Sequence, residues 1–301
     1  MKHIFIVNPI SGNKNAKSLI PIIKDYFKEE SMYEIHISEY PGHATEIAAK
    51  YQKEDDVCVY CLGGDGSAFE VLNGLNDGVS LAIIPVGSGN DYFRMIMGNQ
   101  NIDLNKILID TIEGKEVMID YGKANDRRFI NYASIGLDSQ VVEYANSKTK
   151  LSWVPHSFVY LLAALKVVFK PTKISFDLTI NGETKHYDAV LLGAMNGKYY
   201  GGGFTPAPKA SIQDGILNVL KVDYVKTLRI LRLLPKYFKG DHEHIKEVTV
   251  YETTGFEFNS DKEVIYSCDG EVFRDTKLSF SVVQKGQKLR VPTESELKWL
   301  N

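Results

Sequence analysis

The sequence predicts an α/β fold, an N-terminal parallel-sheet domain followed by a C-terminal antiparallel β-sandwich domain. Three observations carry this. Apolar runs such as Val57–Leu62 and Leu81–Ile84 are continuous, as in strands buried on both faces of a parallel sheet, and they alternate with helix-period segments. Both runs end in glycine-rich loops. Beyond Gly114-Lys115, short strand-like runs separated by turns take over, the spacing of an antiparallel sandwich.

Taken in order, His3–Val7 reads as the first strand and breaks at the turn cluster Asn8-Pro9-Ile10-Ser11-Gly12. Ala16–Phe27 is a helix with Leu19, Ile20, Ile23 and Phe27 on one face. Tyr33–Ser38 is a second strand. Pro41-Gly42-His43 then opens a helix through Lys53, where His43 reads as a helix-start residue rather than an acid or base. Leu104–Glu113 is helical, and Gly114-Lys115 is the expected hinge. Strands follow at Val117–Ala124, Arg128–Ser134, Ser175–Ile180, Lys185–Gly193, Gly215–Val222, Glu247–Tyr251, Gly255–Asn259, Val264–Cys268 and Lys277–Val283. Asn181-Gly182 is a hairpin signal, and Glu294–Leu300 looks helical.

The 301 residues are 44% hydrophobic and 24% charged, enough for a core and more readily two domains than one. A net charge of −3 gives no reason to expect nucleic acid. The three cysteines make no disulfide framework, and the CxxC spacing of Cys58 and Cys61 lies inside a buried strand, where alternation sends them to opposite faces. A reducing cytoplasm is the simplest compartment, and no targeting or membrane-spanning segment is visible.

The chemistry concentrates between Val57 and Arg94. In Gly63-Gly64-Asp65-Gly66-Ser67, glycines allow a sharp turn and close approach of an anion, and the helix that follows points its free N–H groups back at the turn. Together they form a phosphate cradle. Asp65 adds a negative charge there, a conflict that a bound Mg²⁺ would resolve. A plain tight turn is the alternative. The second loop, Pro85-Val86-Gly87-Ser88-Gly89-Asn90-Asp91, favours the cradle, since two such strand-end loops can line one crevice.

Gly63-Gly64-Asp65-Gly66-Ser67 with Glu70-Val71-Leu72-Asn73-Gly74, and then Pro85–Asp91, resembles the diacylglycerol kinase catalytic domain family, which includes bacterial lipid kinases and sphingosine and ceramide kinases. The short Gly-Gly-Asp-Gly core is also shared with NAD kinases and phosphofructokinases. The family usually has Thr at Ser67 and Ser88, and Asn at Phe69. The resemblance implies a NAD kinase/diacylglycerol kinase-like fold with domains 1–114 and 115–292, the tail 293–301 folding back on the first. It implies nucleotide binding by Asn8, Pro9, Ser11, Gly12, Ser38, Gly63, Gly64, Asp65, Gly66, Ser67, Ser88 and Asn90, with ATP and Mg²⁺ as cofactors. It also implies a structural Mg²⁺ on Asp214 with the carbonyls of Ser211 and Ile216. In Cys268-Asp269-Gly270-Glu271 it replaces a mere hairpin turn with the family's catalytic motif. Asp269 and Glu271 are both candidate bases, with Asp269 preferred. Asn131, Gly136 and Asp138 fit the family pattern without an assigned role.

Two stretches are basic and apolar together. Glu143 to Asp177 encloses Lys148, Lys150, Lys166, Lys170 and Lys173 with Trp153, Phe158 and Tyr160, and Tyr224–Lys239 carries Lys226, Arg229, Arg232, Lys236 and Lys239 among leucines. Interfacial helices and helices packed with a solvated basic face fit equally. The reading is an ATP-dependent lipid kinase acting from the cytoplasm. Nucleotide is expected between the domains and diacylglycerol is the leading acceptor. Phosphatidylglycerol, a sphingoid base and a polyprenol-like alcohol stay open. Peripheral membrane contact and a homodimer are further partners left open. The rivals are a NAD kinase-like enzyme and a nucleotide-binding regulatory protein that has lost catalysis. Phe69 favours the latter, while intact Asp65 and Asp269-Gly270-Glu271 oppose it.

Overall fold

The structure, a computed structural model, describes every residue except 88, 99–102, 149–155, 202–203, 296 and 298–301. The chain forms two compact units, Met1–Asp120 with Gln284–Asn301, and Tyr121–Val283.

In the first unit, β1 (Lys2–Val7), α1 (Ile20–Tyr26), β2 (Tyr33–Ile37), α2 (His43–Ala48), β3 (Val57–Gly63), α3 (Asp65–Gly74), β4 (Ser80–Pro85), α4 (Asp91–Met97) and α5 (Leu104–Ile112) follow in order. Residues 16–19, expected to start the first helix, instead end a 3-10 segment, Ser11–Leu19, ahead of α1. The strands pair in parallel, β2 with β1, β1 with β3, and β3 with β4. Every residue of β3 and β4 is buried, which is why their sequences do not alternate. Cys58 and Cys61 lie in this core as free thiols, and burial pushes the Cys58 thiol up to about 12, so little thiolate forms there near neutral pH.

The second unit is built from β5 (Lys115–Ala124, entering from the first unit), β6 (Arg127–Phe129), β7 (Tyr132–Gly136), α6 (Leu137–Lys148), α7 (His156–Phe169), β8 (Ile174–Ile180), β9 (Glu183–Met195), β10 (Leu217–Asp223), α8 (Thr227–Lys239), β11 (Val248–Thr253), β12 (Gly255–Cys268) and β13 (Glu271–Val291). The end of β13 returns to the first unit and pairs in parallel with β4, Leu289 opposite Leu81. In the second unit β10 pairs antiparallel with β9 and β11, β12 with β7, β8 and β13, β9 with β7 and β8, and β5 with β6. β9 and β12 are long enough to serve three neighbours each: β7 and β8 pair with both, β10 with β9, and β13 with β12. Phe176 and Phe258 fill the core between them, ring centroids 4.8 Å apart. The runs 255–259 and 264–268 prove to be one strand with an irregularity between Asn259 and Val264. Asn181 (φ 51°) and Gly182 (φ 82°) form the two-residue turn that their sequence signals.

The tail after β13 stays with the first unit, where Ser295 Oγ donates to the Ile96 carbonyl at 3.0 Å. The rest of the expected 294–300 helix includes residues 296 and 298–300, which lie outside the described residues.

His3 offers a test of this core. It is buried on β1, its Nδ1 lies 2.8 Å from the Tyr60 hydroxyl, and its ring meets Phe27 at 4.8 Å. Burial, then the charges of Arg290 and the N-terminus, bring its pKa from 6.5 to about 4. Between those values the unfolded chain takes up a proton that the native one refuses, so stability falls as pH drops through that window. The loss by pH 4.5 should be about 2–3 kcal/mol. Urea unfolding at pH 7 and pH 4.5 should show that loss in the wild type and a smaller one in His3→Phe. Equal losses would remove His3 as the cause.

Candidate active site

Three loops meet at the C-terminal ends of β1, β3 and β4. Asn8 follows β1, and its side-chain amide donates to Ser67 Oγ at 2.8 Å. Its backbone N–H donates to the Leu62 carbonyl at 3.0 Å, and its Oδ1 accepts the Ile10 N–H at 3.2 Å. Pro9 sits within this turn. Ser38 follows β2, and its N–H donates to the Val7 carbonyl at 3.0 Å, beside Asn8. The loops touch through backbone. A Cβ on Gly12 would lie 2.1 Å from the Val86 carbonyl oxygen, and one on Gly87 would lie 2.4 Å from Gly64 Cα. Only glycine permits these approaches. Gly63 is as confined, for its Cβ would meet Ser67 Cβ at 2.4 Å. Asn90 (φ 50°) closes the third loop, donating from Nδ2 to the carbonyls of Pro85 at 3.0 Å and Gly87 at 2.6 Å. Ser88 lies outside the described residues.

α3 starts at Asp65, and no side chain among the described residues caps it. The backbone N–H groups of Asp65, Gly66 and Ser67 therefore open toward the three loops, a site for an anion. The Asp65 carboxylate does not share that task. It faces the start of α4: a Cβ on Gly89 would lie 2.8 Å from its Oδ2, and the nearby backbone N–H groups of Asn90, Asp91 and Tyr92 favour its charged form. Its charge thus rests on the positive end of the next helix. Burial and then the Asp91 carboxylate raise its pKa to about 6, with the three N–H groups opposing. Asp91 is itself buried and accepts from Arg94. Phe69, where the sequence comparison expected Asn, is buried on α3. His43 is occupied: its Nδ1 accepts the Glu39 N–H at 3.1 Å, and its ring stacks on Tyr40 at 4.6 Å.

In the second unit, Asp269 and Gly270 (φ 45° and 93°) form the hairpin turn between Cys268 and Glu271. This turn sends the two carboxylates different ways. Asp269 is buried and accepts three backbone N–H groups, from Ile130 at 2.6 Å, Asn131 at 3.0 Å and Tyr132 at 2.9 Å. Those bonds explain why the expected strand Arg128–Ser134 is split into β6 and β7: residues 130–132 turn their donors to Asp269. Glu271 is exposed at the start of β13. Asn131 also donates from its side chain to the Tyr199 carbonyl, and Asn196 Nδ2 donates to the Ile130 carbonyl at 2.6 Å.

A further cluster stands where the sequence showed only an unassigned Asp138. Its carboxylate accepts the Tyr200 hydroxyl and, at 3.5 Å, the Tyr237 hydroxyl; the two hydroxyls are 2.8 Å apart. Burial raises the Asp138 pKa to about 6, with the Tyr200 and Tyr237 hydroxyls opposing. The pair Tyr199-Tyr200 ahead of the glycine run was the available signal; Tyr237, on α8, gave none. In the 211–216 loop, Asp214 is exposed and Oδ1 accepts the Ile216 N–H at 3.0 Å, while Ser211 Oγ accepts the Gln213 N–H at 3.3 Å. The Asp214 carboxylate thus closes a side-chain turn on its own loop. Among the described residues, no group of three His, Cys, Asp or Glu side chains could hold a metal.

These features define a two-unit α/β protein with a glycine-lined, helix-backed anion cradle and an antiparallel β unit. The chain belongs to the diacylglycerol kinase family: residues 2–124 match the diacylglycerol kinase catalytic domain, and residues 131–291 match the YegS C-terminal NAD kinase beta sandwich-like domain. The Bacillus subtilis protein named "Putative lipid kinase YtlR" is 27% identical over 97% of this chain and 100% of its own. A Staphylococcus carnosus diacylglycerol kinase is 25% identical, covering 97% of this chain and 95% of its own. The solved diacylglycerol kinase from Bacillus anthracis superposes with a TM-score of 0.70 at 22% identity over 96% of both chains, a likeness of fold.

The Asp269 geometry yields a stability prediction. Asp269→Asn replaces an ionic acceptor of three N–H bonds and can turn an NH₂ group toward them. The cost should be about 2–4 kcal/mol, read as a lower midpoint in urea unfolding. Unchanged stability would mean the carboxylate does not hold residues 130–132.

Proposed function

We propose that the protein transfers the γ-phosphoryl group of ATP to a lipid hydroxyl, with diacylglycerol the first acceptor to test. The observation that carries this reading is the uncapped α3 N-terminus facing the Gly64–Gly87 approach, in a chain whose relatives are named as lipid and diacylglycerol kinases. Phosphate oxygens would accept from the N–H groups of residues 65–67, bounded by Asn8–Gly12 and by Gly87 and Asn90. Mg²⁺ bound with the nucleotide would neutralise phosphate charge. Asp65 contributes by fixing the loop after β4, the position it already occupies.

The acceptor hydroxyl must lose a proton, and the hairpin at Gly270 favours Glu271 over Asp269 for that task. A carboxylate holding three N–H groups is a weak base, whereas Glu271 is exposed. Asp269 then positions the turn beside it. The second reading, a regulatory nucleotide binder, draws on Phe69 alone. Labelled ATP offered with diacylglycerol, phosphatidylglycerol, a sphingoid base, a polyprenol and NAD separates the readings. Transfer to no acceptor, with nucleotide still bound, would favour the regulator, and transfer to NAD alone the NAD kinase alternative.

Two predictions follow from these assignments. Glu271→Gln should lower kcat about 10²- to 10⁴-fold with thermal stability unchanged, and a variant as active as wild type would remove Glu271 as base. For the loop at Asp214, added Mg²⁺ should raise the thermal midpoint of the wild type and much less that of Asp214→Ala. Equal responses would leave the loop a plain turn.

A further inference from the structure

α8 has two unlike faces. Ile230 and Tyr237 turn inward, packing with Val168, Val190, Leu191 and Leu220. At 3.6 residues per turn, Leu228, Arg232, Pro235 and Lys239 fall within roughly 60° on the opposite side, flanked by Lys236 and Phe238. All six are exposed, Leu228 to 71% and Phe238 to 47%. Phe169, at the end of α7, adds a ring 68% exposed, and its carbonyl accepts from Thr227 Oγ1 at 3.4 Å at the start of α8. Apolar side chains of this size without cover mark an interaction surface.

The charges say which kind. Residues 224–239 contain no acid. Lys226, Arg232, Lys236 and Lys239 form no ion pair among the described residues, whereas Arg229, turned to the side, grips Glu247 through two bonds of 2.8 Å. A second copy meeting this face symmetrically would set like charges against each other. A nucleic acid would meet the charges and leave Leu228, Phe169 and Phe238 in water. An anionic lipid surface meets both, with headgroups on the cations and acyl chains under the apolar side chains.

We propose that the outer face of α8, together with Phe169, is the surface on which this protein docks on anionic membranes. This deepens the lipid-kinase reading and names the partner surface; its test does not depend on catalysis. The inner face gives docking a structural connection, because Tyr237 bonds Tyr200, and the adjacent Tyr199 carbonyl accepts from Asn131, whose N–H holds Asp269.

The test is co-sedimentation of the full chain, without nucleotide, on phosphatidylcholine vesicles with and without phosphatidylglycerol. Binding should require phosphatidylglycerol and weaken with salt. Arg232→Glu, Lys236→Glu and Lys239→Glu combined should lower the partition coefficient roughly a hundredfold, at about fivefold or more per charge. Leu228→Gln should lower it roughly tenfold, with less dependence on salt. Lys185→Glu, on β9, should leave it unchanged, and circular dichroism should show all variants folded. Wild-type binding that ignores anionic lipid, or a triple variant that binds like wild type, would overturn the proposal. So would a dimer in sedimentation velocity that Leu228→Gln dissolves. Turnover of a water-soluble, short-chain diacylglycerol without vesicles tests the kinase reading apart: its absence alongside anionic-vesicle binding refutes that acceptor and upholds docking, and its presence without vesicle binding does the reverse.

Discussion

The approach of the Asp65 carboxylate to the start of α4 organises the first unit's site, for the backbone N–H groups of residues 90–92 favour its charge. Asp65 opens α3 and faces the opening of α4, so the loop after β4 is drawn to the loop after β3. Gly87 can then lie against Gly64, and Asn90 can reach back to Pro85 and Gly87. With its charge directed at α4, Asp65 leaves the N–H groups of α3 to whatever anion enters. A carboxylate is compatible with an open anion cradle beside it because two helix ends are present: the α4 end faces Asp65, and the α3 end stays uncapped.

The second unit repeats the device with different elements. Asp269 reaches from a hairpin tip to three N–H groups far earlier in the chain. Asn131 and Asn196 add side-chain bonds to the same backbone. In both units an acidic residue beside glycine is turned toward the backbone N–H groups of a neighbouring segment, and other groups stay open beside it: the α3 N-terminus in one, the exposed Glu271 in the other.

Periodicity in the sequence was enough for the strands of the parallel sheet, the change of texture past residue 114 and the Asn181-Gly182 hairpin, since each rests on local pattern. The motif glycines were also legible, because their spacing reflects backbone contacts among loops at neighbouring strand ends. The division between β6 and β7 was not, as it depends on Asp269, more than 130 residues away. Nor was the inward face of α8: Tyr237 looks like any aromatic in a basic helix until Tyr200 and Asp138 are beside it. The merging of 255–259 and 264–268 into β12 escaped notice because polar residues 260–263 interrupt the apolar pattern while the backbone continues.

The placement of the three cysteines has a consequence of another kind. Cys58 and Cys61 are sealed in β3 and Cys268 at the end of β12, so the first two belong to one unit and the third to the other. Burial raises all three thiols, so little thiolate is present near neutral pH. A thiol reagent therefore finds nothing to modify until a unit opens. The natural chain thus carries its own pair of clocks: the rate at which each cysteine set is modified reads how often its unit opens, and shows whether the two open together or one at a time.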